Sequence, residues 1–447
     1  MRKLAALVAS IVLAACGGAT PSAVPSASPT APAASASAAP VATPTPVAPV
    51  ELTLLGENSP AEGKVFWENL ITLFEAENPD IKIKLVLAPG ADRDPYAQQL
   101  LAAGKFPDVA ILLLPQLFKD SLMEWDPEDP DVQQINDATS GAIDGKLLHL
   151  GVWLDPWNLM FYNKDMFATA GITDVPTTRD EFDAALAKLK SAGFVPMLTA
   201  GEWVTGYQFI QITDVFNNYG HGGVPCWNAL RNEGKVHFQD LNWQNAVDKY
   251  AEWVKNGYFN QGAIGLTFTE LYPKFVAGEG AMFVFNSYGA ALDKLTPAPF
   301  PVGVFPVPSA VGGIHILATK GGLGYTVAKA TKYPEQAVRL AKWLAFDPVP
   351  LSAVLETQAQ FPNVTLRSGP LDLKLSDLSQ QILDIVVAAD SVADGPGTSS
   401  ACRIPAGAGE DFGPLSQALQ LGQDGSAELK ELDDLWDKAL AAETPAP

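Results

Sequence analysis

Apolar positions between residues 51 and 350 change period in a regular order. Glu51 to Leu55 forms a short extended run that leads into the turn cluster Gly56-Glu57-Asn58-Ser59-Pro60. Phe66, Leu70, Leu73 and Phe74 then recur at helical spacing until Asn78-Pro79 stops the helix. Ile81, Ile83, Leu85 and Leu87 alternate with Lys82, Lys84 and Val86, the period of a strand, and Val109 to Leu114 is continuously apolar, as a strand covered on both faces requires. This β-α-β order predicts a mainly parallel sheet. After Tyr162 a second series begins. Thr177 and Asp180 have capping-box-like spacing before a helix carrying Phe182, Leu186 and Leu189, which ends near Gly193. Val195–Thr199 and Ala281–Phe285 read as strands, and Pro334 opens a helix with Ala337, Leu340, Ala341 and Leu344 on one face. The pattern predicts two α/β units with crossings between them and shows no internal repeat.

The N-terminus adds a location. Arg2 and Lys3 precede an apolar-rich run, Leu4 to Ala15, that is shorter than the ~20 residues needed to span a bilayer. Leu13-Ala14-Ala15-Cys16 resembles the bacterial lipobox, which implies cleavage before Cys16 and its lipidation, leaving residues 1–15 as a signal peptide. Residues 18–50 are almost entirely Ala, Pro, Ser, Thr and Val, too poor in large apolar side chains to fold, and read as a disordered tether behind the anchor. The roughly 400 residues that follow exceed what one core usually supports, so two domains are expected. With 50 acidic against 29 basic residues the formal charge is -21, which argues against nucleic acid or anionic membrane as a partner. With Cys16 lipidated, Cys226 and Cys402 remain, either as a disulfide or as two thiols.

Several blocks, in order, resemble the family 1 extracellular solute-binding proteins, the maltose-binding-protein-like group. They are Phe74-Glu75-Ala76-Glu77-Asn78-Pro79-Asp80-Ile81, then Ala102-Ala103-Gly104-Lys105-Phe106-Pro107-Asp108-Val109, and Leu159-Met160-Phe161-Tyr162-Asn163-Lys164-Asp165-Met166-Phe167 followed by Ala170-Gly171-Ile172. Phe275-Val276-Ala277-Gly278-Glu279-Gly280-Ala281-Met282, Pro301 to Pro308, Gly321-Gly322 to Tyr325 and the Pro334–Leu344 helix complete the set. The resemblance implies the type II periplasmic-binding-protein fold, two α/β lobes with a cleft and hinge between them. Crossings are expected near 153–159, 305–313 and 355–366. Lobe 1 would be 51–155 with 313–355, and lobe 2 would be 156–312 with 356–447. It also implies a monomeric, lipid-anchored extracytoplasmic subunit of an ABC importer that captures a solute, closes around it and presents it to transmembrane permease subunits, without a cofactor.

Sugars are held by aromatic rings stacked on their apolar faces and by carboxylates and amides that accept hydroxyl protons. Such groups belong at the carboxyl ends of parallel strands. Trp153 and Asp155 at the first crossing, Glu202 and Trp203 after the Val195–Thr199 strand, Asn286 and Tyr288 after Ala281–Phe285, and Glu57 and Asn58 in the first loop satisfy both conditions. The resemblance puts an acidic or polar contact at Asp155, a stacking aromatic at Tyr288 (where relatives usually carry Trp), and Gly322 in the Gly-Gly block at the site. Trp157 is as well explained by hinge packing, and Trp227 is a weaker candidate. Trp67, Trp243, Trp253, Trp343 and Trp436 lie in helical patterns and read as packing.

These residues imply a small carbohydrate ligand, with another polyol or a glycerophosphodiester as the alternative. None of the nominated loops carries Arg or Lys, which favours a neutral sugar. An enzyme is the rival class, in its best version a glycoside hydrolase using Asp155 and Glu202. No motif sets two carboxylates in a catalytic relation, however, and no catalytic residue is assigned. His149, His221, His237 and His315 are scattered without metal-ligand spacing, and HExxH, P-loop, GxGxxG and Gly-x-Ser-x-Gly motifs are absent. A lectin-like adhesin would bind without closing.

Overall fold

The computed structural model describes residues 48–89, 93–201, 227–308, 312–320, 323–394, 402–405, 407–408 and 412–443. In chain order the strands are β1 (Val50–Gly56), β2 (Ile81–Leu87), β3 (Val109–Ile111), β4 (Trp153–Pro156), β5 (Leu159–Asn163) and β6 (Met197–Leu198). They continue with β7 (Met282–Phe285), β8 (Val302–Pro306), β9 (His315–Lys320), β10 (Tyr325–Val327), β11 (Phe361–Pro362) and β12 (Ser391–Asp394).

The first sheet has the order β10-β3-β1-β2. β1 pairs in parallel with β2 and β3, as the β-α-β pattern predicts, and β10 returns antiparallel to β3. Leu52, Leu54 and Leu55 in β1 are all buried because the strand is central. β2 lies at the edge, where the exposed Lys82 pairs with Glu75. The helix Lys64–Glu77 covers this sheet with Trp67, Leu70 and Phe74, while Leu73 is 45% exposed, so the buried stripe is rotated from the one the periodicity marks. Val109, Ile111, Tyr325, Leu340 and Leu344 complete this core.

The second sheet, β6-β7-β5-β8, departs from the parallel expectation. Only β6 and β7 run parallel, and β5 is antiparallel to both β7 and β8. The helix on its flank, Arg179–Ser191, starts one residue later than the sequence pattern suggests. Thr178 is the N-cap and Glu181 completes the capping box, with Phe182, Leu186 and Leu189 facing inward. Two cores back this sheet. One is built on Phe161, Phe275, Phe283 and Phe285. The other is dense in indole rings, with Trp227, Trp243, Trp253 and Trp436 at 2% exposure or less and the Trp243 ring stacked on Phe412 at 5.5 Å.

A third sheet, β11-β4-β9-β12, joins the two units. Along β4, Trp153 enters the first core and Leu154 packs on the second unit, while Phe361 in β11 joins the second unit's core and Leu366 beyond it joins the first. Asn158, fully buried with φ 54°, turns the chain from β4 into β5. Its amide donates to the His315 carbonyl (3.2 Å) and its Oδ1 accepts from the Leu317 N–H (3.3 Å), while its own carbonyl accepts from Val307 (2.9 Å).

The C-terminal helix Ser426–Glu443 closes the second unit. On its buried face Asp433 meets the buried Arg231. The Asp433 carboxylate accepts from Arg231 Nε (3.1 Å), the Phe238 N–H (2.9 Å), the Gln239 N–H (3.1 Å) and Gln239 Nε2 (3.1 Å). Cys402 is buried and disulfide-bonded, while Cys16 and Cys226 lie outside the described residues. Among the described residues no helix is long and apolar enough to cross a membrane.

Removing one member of a buried, hydrogen-bonded ion pair leaves the other uncompensated. Asp433→Ala removes the buried carboxylate and leaves Arg231 only the exposed Asp437 carboxylate at 2.7 Å, so it is expected to lower the unfolding free energy by about 3 kcal/mol, seen as a lower denaturant midpoint. A loss below about 1 kcal/mol would show that Asp437 alone compensates the guanidinium.

Candidate ligand-binding site

A cavity of about 560 Å³ opens where the two units face each other across the third sheet. The loop after β1 contributes Glu57, Asn58, Ser59 and Pro60, and the segment after β3 contributes Leu112. Asn286 and Tyr288 come from the loop after β7, Asp155 and Trp157 from β4 and just beyond it, and Gln358 and Gln360 from the approach to β11. Strand ends from both units thus meet at one place, the location expected for ligands of α/β sheets.

The first loop is held from behind. A Cβ on Gly56 would lie 2.9 Å from Trp67 Nε1, so only glycine admits the indole this close. The same Nε1 donates to the Glu57 carbonyl at 2.9 Å, which sets the loop against the helix Lys64–Glu77. Asn58 is fixed through its amide, which donates to the Ala88 carbonyl (2.7 Å). The Glu57 carboxylate forms an ion pair with Arg93, and Arg93 Nε donates to the Leu112 carbonyl at 3.0 Å. Leu112 adopts φ 58°, a left-handed conformation rare for a branched side chain, at the point where its carbonyl receives the guanidinium.

Asp155 is the centre of a second network. Its Oδ1 accepts from Ser287 Oγ (2.7 Å) and its Oδ2 from Asn286 Nδ2 (2.9 Å). Burial pushes this carboxyl up to about 6, and the bonds from Ser287 and Asn286 hold it from rising further. Pinned through its nitrogen, Asn286 presents a buried Oδ1 that has no hydrogen-bond partner among the described residues. That oxygen is an open acceptor at the cavity. Tyr288 places a ring beside it, and burial raises the phenol's pKa, with the Ser59 side chain and Ala61 backbone on the opposite unit partly offsetting the rise.

Behind the first loop Glu62 is fully buried, and neither of its oxygens makes a hydrogen bond of normal geometry. Burial pushes it up to about 8, offset only in part by the Gln358 side chain.

Of the residues the sequence nominates, Glu57, Asn58, Asp155, Asn286 and Tyr288 line the cavity together. Trp153 does not. It is 1% exposed and packs edge-on against Tyr325 at 5.5 Å, inside the first core. Trp157 takes the aromatic place at this crossing, and Trp227 is a core residue. Glu202, Trp203 and Gly322 lie outside the described residues. Arg93, Leu112, Tyr272, Phe285, Gln358 and Gln360 are cavity residues that sequence reasoning missed. The strand-end rule applied to β2 would have reached Arg93, which opens the next helix (Arg93–Ala102). The others carry no local signal. Among the described residues no group of three or more His, Cys, Asp or Glu is arranged to hold a metal ion.

Comparison with known proteins places this geometry in a lineage. The family described as bacterial extracellular solute-binding protein matches residues 57–349. The maltodextrin-binding protein of Bacillus subtilis is 27% identical over 315 residues, covering 63% of this chain and 66% of the relative. The multiple sugar-binding protein of Streptococcus mutans is 23% identical over 295 residues, covering 62% and 67%. A putative binding protein of Brucella abortus matches over only 54% of its own length, so the chain spans between about half and two thirds of these curated relatives. Among solved structures, a chitin oligosaccharide binding protein superposes with TM-score 0.73 at 20% identity, covering 88% of this chain and 99% of that one. The raffinose complex of the solute-binding protein RafE gives 0.69 at 17%, covering 88% and 100%. The fold is the two-lobed, maltose-binding-protein-like α/β fold.

The two buried carboxyls act on stability in pH windows that overlap but end at different values. Asp155 rises from its ordinary 3.8 to about 6, and Glu62 from 4.5 to about 8. A raised carboxyl keeps its proton longer in the folded chain than in the unfolded one, so its contribution is complete at low pH and is lost as pH rises through the folded value. The stability difference between wild type and Asp155→Asn should therefore change between pH about 4 and 6, and that for Glu62→Gln between about 4.5 and 8, each by at most about 1.4 kcal/mol per pH unit. Chemical denaturation of the three proteins across this range checks both windows. Parallel curves would show that neither group titrates as its burial implies.

Proposed function

Because the chain belongs to the bacterial extracellular solute-binding protein family, we propose that it captures a carbohydrate in the interlobe cleft and delivers it to the permease of an ABC importer. The observation that carries this reading is the pairing of a preset acceptor, Asn286 Oδ1, with the Tyr288 and Trp157 rings in one cavity lined by both lobes. Rings stack on the C–H faces of a sugar while fixed amides and carboxylates take its hydroxyls. A ligand touching both lobes stabilises the closed arrangement, and that closed arrangement is what a permease recognises.

Arg93 adds a basic group to the cleft, contrary to the expectation from the nominated loops. Its charge is matched by Glu57, and Asp155 lies nearby in the same cavity. A phosphodiester would have to compete with the Glu57 carboxylate for the guanidinium, which supports a neutral sugar. The relatives' names, maltodextrin-binding and multiple sugar-binding, support the same class.

The division into 51–155 with 313–355 and 156–312 with 356–447 is proposed for the lobes. The grouping of Leu52 to Trp153 with Tyr325 to Leu355 in one core supports it, although Leu366 also joins that core. Lipidation of Cys16, a tether that ends where β1 begins at Val50 and a monomeric state complete the proposal, with Cys226 as the partner of Cys402. The latter rests on the bond from Asn228, two residues after Cys226, to the Cys402 carbonyl (3.3 Å).

The family is one of substrate-binding proteins. The reading that this chain catalyses nothing is supported by Asp155, whose two oxygens are both engaged by Ser287 and Asn286. Incubation with oligosaccharides should yield no products.

Calorimetric titration across a panel of mono- and oligosaccharides should find a ligand. Scattering should then show a smaller radius of gyration in its presence, and binding without contraction would favour an adhesin. Tyr288→Ala is expected to weaken that binding at least about tenfold through loss of the stacking ring. Trp153→Phe should lower the melting temperature and leave affinity within about twofold. The opposite ranking would overturn the site.

A further inference from the structure

The cavity has two chemically different parts. Glu57, Asn58, Arg93, Asp155, Asn286 and Tyr288 make one of them polar. The other is walled by Leu271, Tyr272, Phe283, Phe285, Leu292 and Leu295, drawn from β7 and the helices Leu271–Val276 and Tyr288–Leu295 on either side of it. Five of these six carry no side-chain donor or acceptor. The sixth, Tyr272, has its single hydroxyl proton committed within the protein, with Asp293 Oδ1 and the Thr296 carbonyl both at 2.9 Å, so it presents its ring and has no proton to donate. The backbone of β7 is largely engaged, pairing with β5 from Met282 to Phe285 and with β6 at Met282 and Phe283. Thr269 also lines this stretch, and its hydroxyl is bonded to that of Thr267 (3.0 Å).

Among the described residues, a sugar ring placed here would bury most of its hydroxyls against carbon, with only Thr269 and Thr296 carrying side-chain hydroxyls at the edge, and each unmatched hydroxyl carries a penalty of the same order as a lost hydrogen bond. An apolar group would meet ring faces and leucine methyls and incur no such penalty. The two parts are continuous: the Phe285 ring lies 6.5 Å from the Tyr288 ring, centroid to centroid, at the junction between them. A cavity of about 560 Å³ exceeds the voids that interior packing leaves, and it has the size of a small-ligand site.

We propose that the site takes an amphiphilic glycoside, with the sugar held by the polar groups around Asn286 and Tyr288 and an aryl or alkyl aglycone seated in the annex walled by Tyr272, Phe283, Phe285 and Leu292. This proposal rests on the carbohydrate reading above and narrows it to a ligand class.

The test uses matched pairs of glycosides, methyl against phenyl and methyl against hexyl, on glucose, maltose and cellobiose. Each is titrated calorimetrically into the folded protein below its micellar concentration. The apolar member of a pair should bind at least about tenfold tighter than its methyl counterpart, since each buried methylene is worth about fourfold. Leu292→Asn, and Leu295→Asn at a position already 49% exposed and so safe for folding, should each reduce that hexyl-to-methyl ratio at least about fivefold. Methyl and hexyl glycosides binding equally, with the sugar still recognised, would overturn the annex and leave the carbohydrate reading standing. A hexyl preference that both variants retain would place the alkyl chain elsewhere and overturn it as well. Failure of every glycoside and of free oligosaccharides to bind would remove both.

Discussion

Two lobes share one backbone, and the passage between them is a narrow one that must keep its hydrogen bonds satisfied. Asn158 meets this demand at the tightest point. Its left-handed backbone turns β4 into β5, and its side chain supplies both a donor and an acceptor to β9, while its carbonyl takes the Val307 N–H. Asparagine suits the place because it tolerates this conformation and carries an amide short enough to bond nearby backbone. Three residues earlier Asp155 accepts from Asn286 and Ser287, so the turn and the clamp together fix where the loop after β7 sits relative to the crossing strands. The preset acceptor at Asn286 and the ring of Tyr288 inherit their positions from that arrangement.

The parts of the fold that the sequence made legible are those whose signal is local. β1, β2 and the helix between them follow from a change of hydrophobic period within forty residues, and their bounds fall within a residue or two of the pattern. The second sheet was not legible in the same way. β5 is flanked by β7 and β8, strands more than a hundred residues further along, and nothing in Leu159–Asn163 indicates the direction of those neighbours. The site divides similarly. Glu57, Asn58, Asn286 and Tyr288 follow strand ends and could be found by that rule. Trp153 and Trp157 look equivalent in the sequence, but the first lies within β4, where it is turned onto Tyr325, and the second lies beyond the strand's end. Arg93 is held at the cavity by Glu57 and by the Leu112 carbonyl, the latter in a conformation that no pattern announces.

The acidic balance of the chain reads differently inside the cleft than over its surface. Fifty acidic residues give a net charge of -21, yet the cavity charges are managed one by one. Glu57 is matched by Arg93, Asp155 is shared between two neutral donors, and Glu62 is sealed off where a proton suits it better than a charge. A ligand thus meets dipoles and rings in place of a concentrated anionic field, which fits the capture of an uncharged molecule by a strongly acidic protein.

The Arg231–Asp433 contact joins residues two hundred positions apart, and the carboxylate also gathers the backbone at Phe238 and Gln239. The second lobe is therefore an unfinished structure until almost all of the chain is present. A polypeptide emerging N-terminus first can assemble much of the first lobe's sheet early, but the indole-rich core must wait, with Arg231 unneutralised and Trp227 and Trp243 open to solvent, for the helix Ser426–Glu443 to arrive. This order of assembly makes the last helix a checkpoint for completeness. A chain cut short before Asp433 would retain a recognisable first lobe and an exposed aromatic surface, the kind of surface that chaperones and proteases recognise.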